Sequence, residues 1–284
     1  MFGVAPKVVL LVLLAAVSVG LAADRWRRGT TAPPLRYLWV FLLILSAMEW
    51  VGFTIAIWVM ALFAFRALRE YFSLVDIRLA DRWGIWGAYL SIPFMIYLIQ
   101  IDWYGLFIIS IPVYAFLIVP FLVVLGGPDA RGAVLSIGIV DFGLFLFVYC
   151  MGHIGYLALY SVWMAAFFVL SVALTHAVDH ILRGNVEHGW RPYLVRFAVA
   201  APLGVALSLG LLPLTTFPIV HALVLGGLIP ALVLIGTFTI KALETDLGIS
   251  EDDLHAGRGG IIHGTRAYLF AAPIVFHYIR YFVF

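Results

Sequence analysis

Charge, cysteine and long polar stretches are all scarce in this chain, and each shortage excludes something. Only 11% of the 284 residues are charged, 64% are hydrophobic, and mean hydropathy is +1.10. So little charge cannot coat a water-soluble globule, which keeps about a quarter of its residues charged. One cysteine, Cys150, excludes an internal disulfide and is expected to pack in a helix. A net charge of +2 gives no footprint for nucleic acid. No repeat, low-complexity tract or hydrophilic domain interrupts the sequence, so residues 1–284 read as a single membrane domain.

What the chain does have is apolar length. About 20 consecutive apolar residues span a bilayer as a helix. The alternative, a closed barrel, needs short alternating segments, and these runs are continuous. Apolar segments fall at 4–23, 37–50, 51–65, 84–101, 103–126, 132–152, 155–175, 194–213, 217–240 and 267–284. The first has no small-x-small cleavage site and is followed by Arg25, Arg27 and Arg28, so it reads as a retained helix. The stretch 37–65 would be about 43 Å long as one helix, too long for a ~30 Å core without strong tilt. Glu49 and Gly52 near its middle suit a turn between two short helices.

Basic residues decide that choice. With a hairpin at 37–65, the segments 24–36, 66–83, 127–131, 176–196 and 241–266 share one side. They carry 15 of the 17 Lys and Arg residues, leaving only Lys7 and Arg280 elsewhere. The positive-inside rule then predicts an all-α, polytopic integral membrane bundle of about ten transmembrane helices. Its long loops are expected to be cytoplasmic, its termini outside, and its location the cell inner membrane. Trp39, Trp83, Trp103, Tyr104, Tyr156 and Tyr281 fall near the segment ends, as an interfacial belt or as ordinary packing aromatics.

Two of the predicted cytoplasmic loops concentrate polar residues: Thr175 to Arg196, and Lys241 to Arg266. Gly257, Gly259 and Gly260 can expose backbone N–H groups to an anion. With Lys241, Arg258 and Arg266 they form a candidate phosphate-binding set. A solvated basic loop, which the positive-inside rule alone produces, is the other account. His176 and His180 are spaced i, i+4, on one face of a helix, with Asp179 beside them. Together with His263 they make a candidate transition-metal set, set against simple interfacial histidines. Within the apolar runs Glu49, Asp141, His153, His221 and His277 are expected to face the bundle interior, with Asp141 the most significant.

The region 236–284 carries more. Lys241 is followed by acidic residues Glu251, Asp252 and Asp253, and then by the glycines. The sequence closes on Phe270-Ala271-Ala272-Pro273 and Arg280-Tyr281-Phe282. This frame resembles the C-terminal signature of the phosphatidate cytidylyltransferase (CDP-diacylglycerol synthase) family. Leu68-Arg69-Glu70-Tyr71 after the third helix fits the family layout too. The resemblance implies an active site built from the two polar regions, binding CTP, magnesium and phosphatidate at the cytoplasmic face. It also has gaps. Where the family has Asp-Arg-x-Asp, this chain reads His263-Gly264-Thr265-Arg266. Arg258 replaces the histidine of the family's glycine turn. His176 replaces a carboxylate, and Arg191-Pro192 through Gly204 lacks the Ser-Pro-x-Lys-Thr motif. The family positions are therefore occupied by His176, Lys241, His263 and Arg266.

Three functions follow as expectations. The first is a member of this family, in phospholipid metabolism, that binds an anionic lipid such as phosphatidate but has little or no standard activity. The second is an active CTP:phosphatidate cytidylyltransferase using magnesium. The third is a repurposed membrane enzyme with a histidine-bound metal. A homodimer is compatible with all three.

Overall fold

Gly52 turns the chain with φ at 106°, a backbone conformation that only glycine adopts without strain. It separates α2 (Pro33–Trp50) from α3 (Phe53–Phe72), so the 37–65 stretch is a hairpin, as the charge placement predicted. The structure, a computed structural model, describes residues 6–29, 33–126, 131–183, 189–215, 217–249 and 260–283. Among them there is no strand. The other long helices are α1 (Pro6–Arg28), α4 (Arg82–Gln100), α5 (Tyr104–Leu125), α6 (Ala133–Tyr160), α7 (Val162–Ile181), α8 (Arg191–Gly210), α9 (Ile219–Asp246) and α10 (Gly260–Phe282). Six of the ten, namely α1 and α5 to α9, are long and apolar enough to cross a membrane. The remaining four carry charged residues within their length, such as Arg69 and Glu70 in α3 and Arg266 and Arg280 in α10. The chain is thus a helical membrane protein.

Several helices run past the apolar segments that announced them. α3 continues to Phe72, α7 to Ile181 and α9 to Asp246, while α10 begins at Gly260. The break predicted near residue 153 falls instead at Ser161. Its backbone is extended, and its Oγ accepts from Met164 N–H at 3.4 Å, capping α7. Gly152 and Gly155, inside α6, serve close packing rather than turning. A Cβ at Gly155 would lie 2.8 Å from Ile57 Cδ1. α5 and α6 each contain a π-helical segment, Ser110–Ala115 and Phe145–Cys150. Cys150 is buried there, as expected.

Contacts pair the helix ends in two groups. At the basic end, the Tyr37 hydroxyl donates to Gly260 O at 2.6 Å and Ile261 N–H donates to Glu70 Oε1 at 2.9 Å. These bonds tie α2, α3 and the start of α10. Nearby, Asp81 accepts from Arg78 at 2.7 Å and from Ser136 Oγ at 2.6 Å, fastening the α3–α4 connection to α6. Burial alone pushes the Asp81 carboxyl up, but the Arg78 and Ser136 hydrogen bonds outweigh it and hold the group below the usual carboxylate range. At the far end, Gln100 Nε2 donates to Thr54 O at 2.7 Å, joining α4 to α3.

Candidate functional site

The two polar regions singled out in the sequence meet at the basic end, on helix ends rather than in loops. α7 supplies His176 and Asp179, with Arg183 just beyond it. α8 supplies Arg196, α9 Glu244, and α10 His263 and Arg266. His176, Asp179, Arg196, Glu244 and Arg266 fall on the buried stripes of their helices. Arg196 continues the buried line Ala200, Gly204, Ser208, and Glu244 continues Gly236 and Ile240 at intervals of four.

Asp179 is fully buried and holds two arginines, Arg196 Nη1 at 2.6 Å and Arg183 Nη2 at 2.9 Å. Arg196 also stacks on the Tyr193 ring, 4.8 Å from its centroid. Glu244 Oε2 accepts from Arg266 Nη1 at 2.7 Å. Arg266 Nη1 lies 3.0 Å from His263 Nδ1. The same Nδ1 lies 3.3 Å from Glu244 Oε2, so it faces both a donor and an acceptor, and one proton position serves only one of them. The two ion-paired groups act on each other. Arg266 lies in the field of Asp179 and Arg183, and His176 in that of Arg266, His263 and Arg183.

Among the described residues, buried Arg196 and Arg266 are balanced by buried Asp179 and Glu244, and the part-exposed Arg183 adds one further positive charge. Arg266 Nε and Nη2, His176 Nδ1 and the acceptor Glu244 Oε1 are buried without a hydrogen-bond partner among the described residues. Buried donors without partners cost about 1–3 kcal/mol each. The arrangement suits an anion that accepts from them.

The position of α10 is fixed sterically. A Cβ at Gly264 would lie 1.7 Å from Tyr37 Cε2, so only glycine lets α10 seat against α2. This sets Arg266, half a turn on, against α9.

The sequence-derived sets are partly brought together. His176, His263 and Arg266 join the cluster. Lys241 does not. It is exposed and lines a notch of about 170 Å³ with Gly189, Tyr193, Phe238, Ala242 and Thr245. Tyr193 and Phe238 also line an apolar recess of about 290 Å³ between α8 and α9, with Trp190, Leu194, Phe197 and Leu234. Gly260 gives its carbonyl to Tyr37, while Gly257, Arg258 and Gly259, and the acidic run Glu251, Asp252 and Asp253, lie outside the described residues. Asp141 is buried with Oδ1 unpartnered among the described residues. His153 Nδ1 donates to Tyr149 O at 2.8 Å, and His221 and His277 bond Tyr278 and Tyr104.

Magnesium takes carboxylate and phosphate oxygens; among the described residues of this cluster both carboxylates, Asp179 and Glu244, are paired to arginine. Among the described residues the transition-metal set does not assemble. His180 is exposed while His176 is buried, and among the described residues no three His, Cys, Asp or Glu side chains gather to hold a metal. Glu244 and the pairing of Asp179 with Arg196 were not singled out from sequence. The i, i+4 continuation of the buried stripes was the available signal.

No family model matches the chain. No solved structure matches it either. It is 27% identical over 259 residues to the uncharacterized protein YnbB of Escherichia coli (strain K12), covering 85% of this chain and 83% of that protein.

Proposed function

We propose that this chain is an inner-membrane protein of phospholipid metabolism that binds an anionic lipid head group, such as that of phosphatidate, at a cytoplasmic basic end. In this reading all ten long helices cross the bilayer. The observation that carries it is the buried guanidinium of Arg266, whose Nε and Nη2 have no partner among the described residues beyond the Nη1 ion pair to Glu244. Charge-assisted hydrogen bonds to a phosphate would satisfy those donors. The apolar recess between α8 and α9 leads to Lys241, which suits an acyl chain below a phosphate. The layout resembles that of the phosphatidate cytidylyltransferases, but the paired carboxylates argue against magnesium-dependent cytidylyl transfer. The rival, an active CTP:phosphatidate cytidylyltransferase, draws support from the meeting of the two regions that the resemblance assigns to nucleotide and lipid.

The deciding experiment uses purified protein in nanodiscs. Phosphatidate should bind at least tenfold more tightly than phosphatidylcholine, lose that preference in Arg266→Gln, and be indifferent to EDTA. Equal binding of both lipids by wild type and variant would sink the proposal. Formation of CDP-diacylglycerol from CTP, phosphatidate and magnesium would establish the rival. Orientation is read by labelling Leu74→Cys and His188→Cys, which should resist a membrane-impermeant reagent added from the periplasmic side.

A further inference from the structure

A second arginine site lies at the opposite end of the bundle. Arg280 and Lys7 are the two basic residues placed away from the basic loops. The positive-inside rule disfavours cations there, so topology gives Arg280 no reason to be present. Lys7 sits over the Trp50 ring. Arg280 is held much more elaborately. Its guanidinium carbon lies 3.7 Å from the Tyr104 ring centroid and 5.3 Å from that of Tyr160. Nη1 donates to the Tyr160 hydroxyl. Behind it, Asp102 Oδ1 accepts from Tyr156 at 2.5 Å and from Tyr160 at 3.5 Å. Asp102 itself sits at φ 51°, a left-handed conformation that Asp and Asn tolerate better than most residues. The Tyr104 hydroxyl is fixed in turn against His277 Nδ1 at 3.1 Å.

This scaffold orients a guanidinium without neutralising it directly. Among the described residues no carboxylate lies within ion-pair distance of Arg280. One nitrogen is committed to Tyr160, leaving donors on Nε and Nη2. Arg280 lines a cavity of about 550 Å³ with Tyr104, His277 and Tyr281. A flat guanidinium stacked on an aromatic ring presents its edge to a planar or tetrahedral oxyanion. The surrounding tyrosines suit the interfacial zone of a bilayer, where phosphates reside.

We infer that the Tyr104–His277–Arg280–Tyr281 cavity is a phosphate-binding site at the far end of the bundle, separate from the Arg266 cluster. The phosphate belongs either to a lipid of that leaflet or to a soluble phosphomonoester. Both offer the same oxygens to Arg280, and the experiment separates them.

Wild-type protein in nanodiscs would be photolysed with a head-group-diazirine phosphatidate, and in detergent titrated with glycerol 3-phosphate and inorganic phosphate. A lipid ligand gives cross-links on the peptide spanning His277 to Tyr281 that soluble phosphate does not compete away. A soluble ligand gives a thermal shift with glycerol 3-phosphate that Arg280→Gln abolishes. In either case Arg280→Gln should weaken the far-end interaction about tenfold, and Arg280→Lys by less. Arg266→Gln should leave it unchanged, so failure here is distinguishable from failure at the basic end. Should Arg280→Gln fail to fold, the wild-type cross-link map and Tyr281→Ala, at an exposed position, carry the test. Absence of far-end cross-links, together with no shift by either soluble phosphate, would overturn the inference.

Discussion

Arg196 Nη1 donates to Asp179 Oδ1 at 2.6 Å with both side chains sealed from solvent, so α7 and α8 are joined by an ion pair that water cannot replace. Removing Asp179 leaves Arg196 without its buried counter-charge, at a cost of about 3–5 kcal/mol, whereas removing Arg196 leaves Asp179 still paired to Arg183. Asp179→Leu should therefore lower thermal stability in detergent sharply, while Arg196→Met added to it should recover much of the loss. A double variant no more stable than Asp179→Leu alone would show that the pair is not the unit of stability.

Gly264 offers a steric test. Its absent Cβ is what allows the Tyr37 ring to lie against α10. Gly264→Ala should destabilise the protein by about 1–3 kcal/mol or more through overpacking, and Tyr37→Leu in the same chain should relieve part of it. Thermal unfolding of the three variants decides the matter. Unchanged stability in Gly264→Ala would mean that the two helices are not in contact at this point.

For Asp81 the pH dependence has a definite sign. Its carboxyl is held below the usual range by Arg78 and Ser136, so it favours the folded state when ionised. That contribution is complete above the unfolded carboxylate pKa, near 3.8, and is lost as pH falls through the lower folded value. Asp81→Asn should thus be less stable than wild type at pH 7, with the gap closing on acidification below about pH 4. A gap independent of pH would assign the loss to shape rather than charge.

The bundle's layout was readable because apolar length and basic-residue placement act at the scale of whole helices. The hairpin at Gly52 illustrates this, since Glu49 and a glycine near the middle of an overlong run left little else to fold. The helix ends were less legible. Glu244 and Asp179 look like loop residues in a hydropathy trace, because burial of a carboxylate becomes affordable only once an arginine from another helix arrives. Tertiary pairing of that kind has no local signature beyond the four-residue spacing. Lys241 shows the converse, sitting close in sequence to Glu244 yet facing outward into the α8–α9 notch.

Asp141 is buried with Oδ1 lacking a partner among the described residues, an arrangement that opposes folding. Asp141→Asn should raise the unfolding temperature by a few degrees without disturbing the fold. A fall in stability would show that the carboxylate has a partner that sustains it in the membrane.

Helix α10 carries Arg266 near one end and Arg280 near the other, 14 residues apart, or about 21 Å along its axis. The two arginines thus ride on a single rod, with Pro273 midway as its natural bend point. That length is about two thirds of a ~30 Å hydrocarbon core, so one helix sets two guanidiniums at opposite ends of the bundle, and a bend at Pro273 lets each end settle against its own partners.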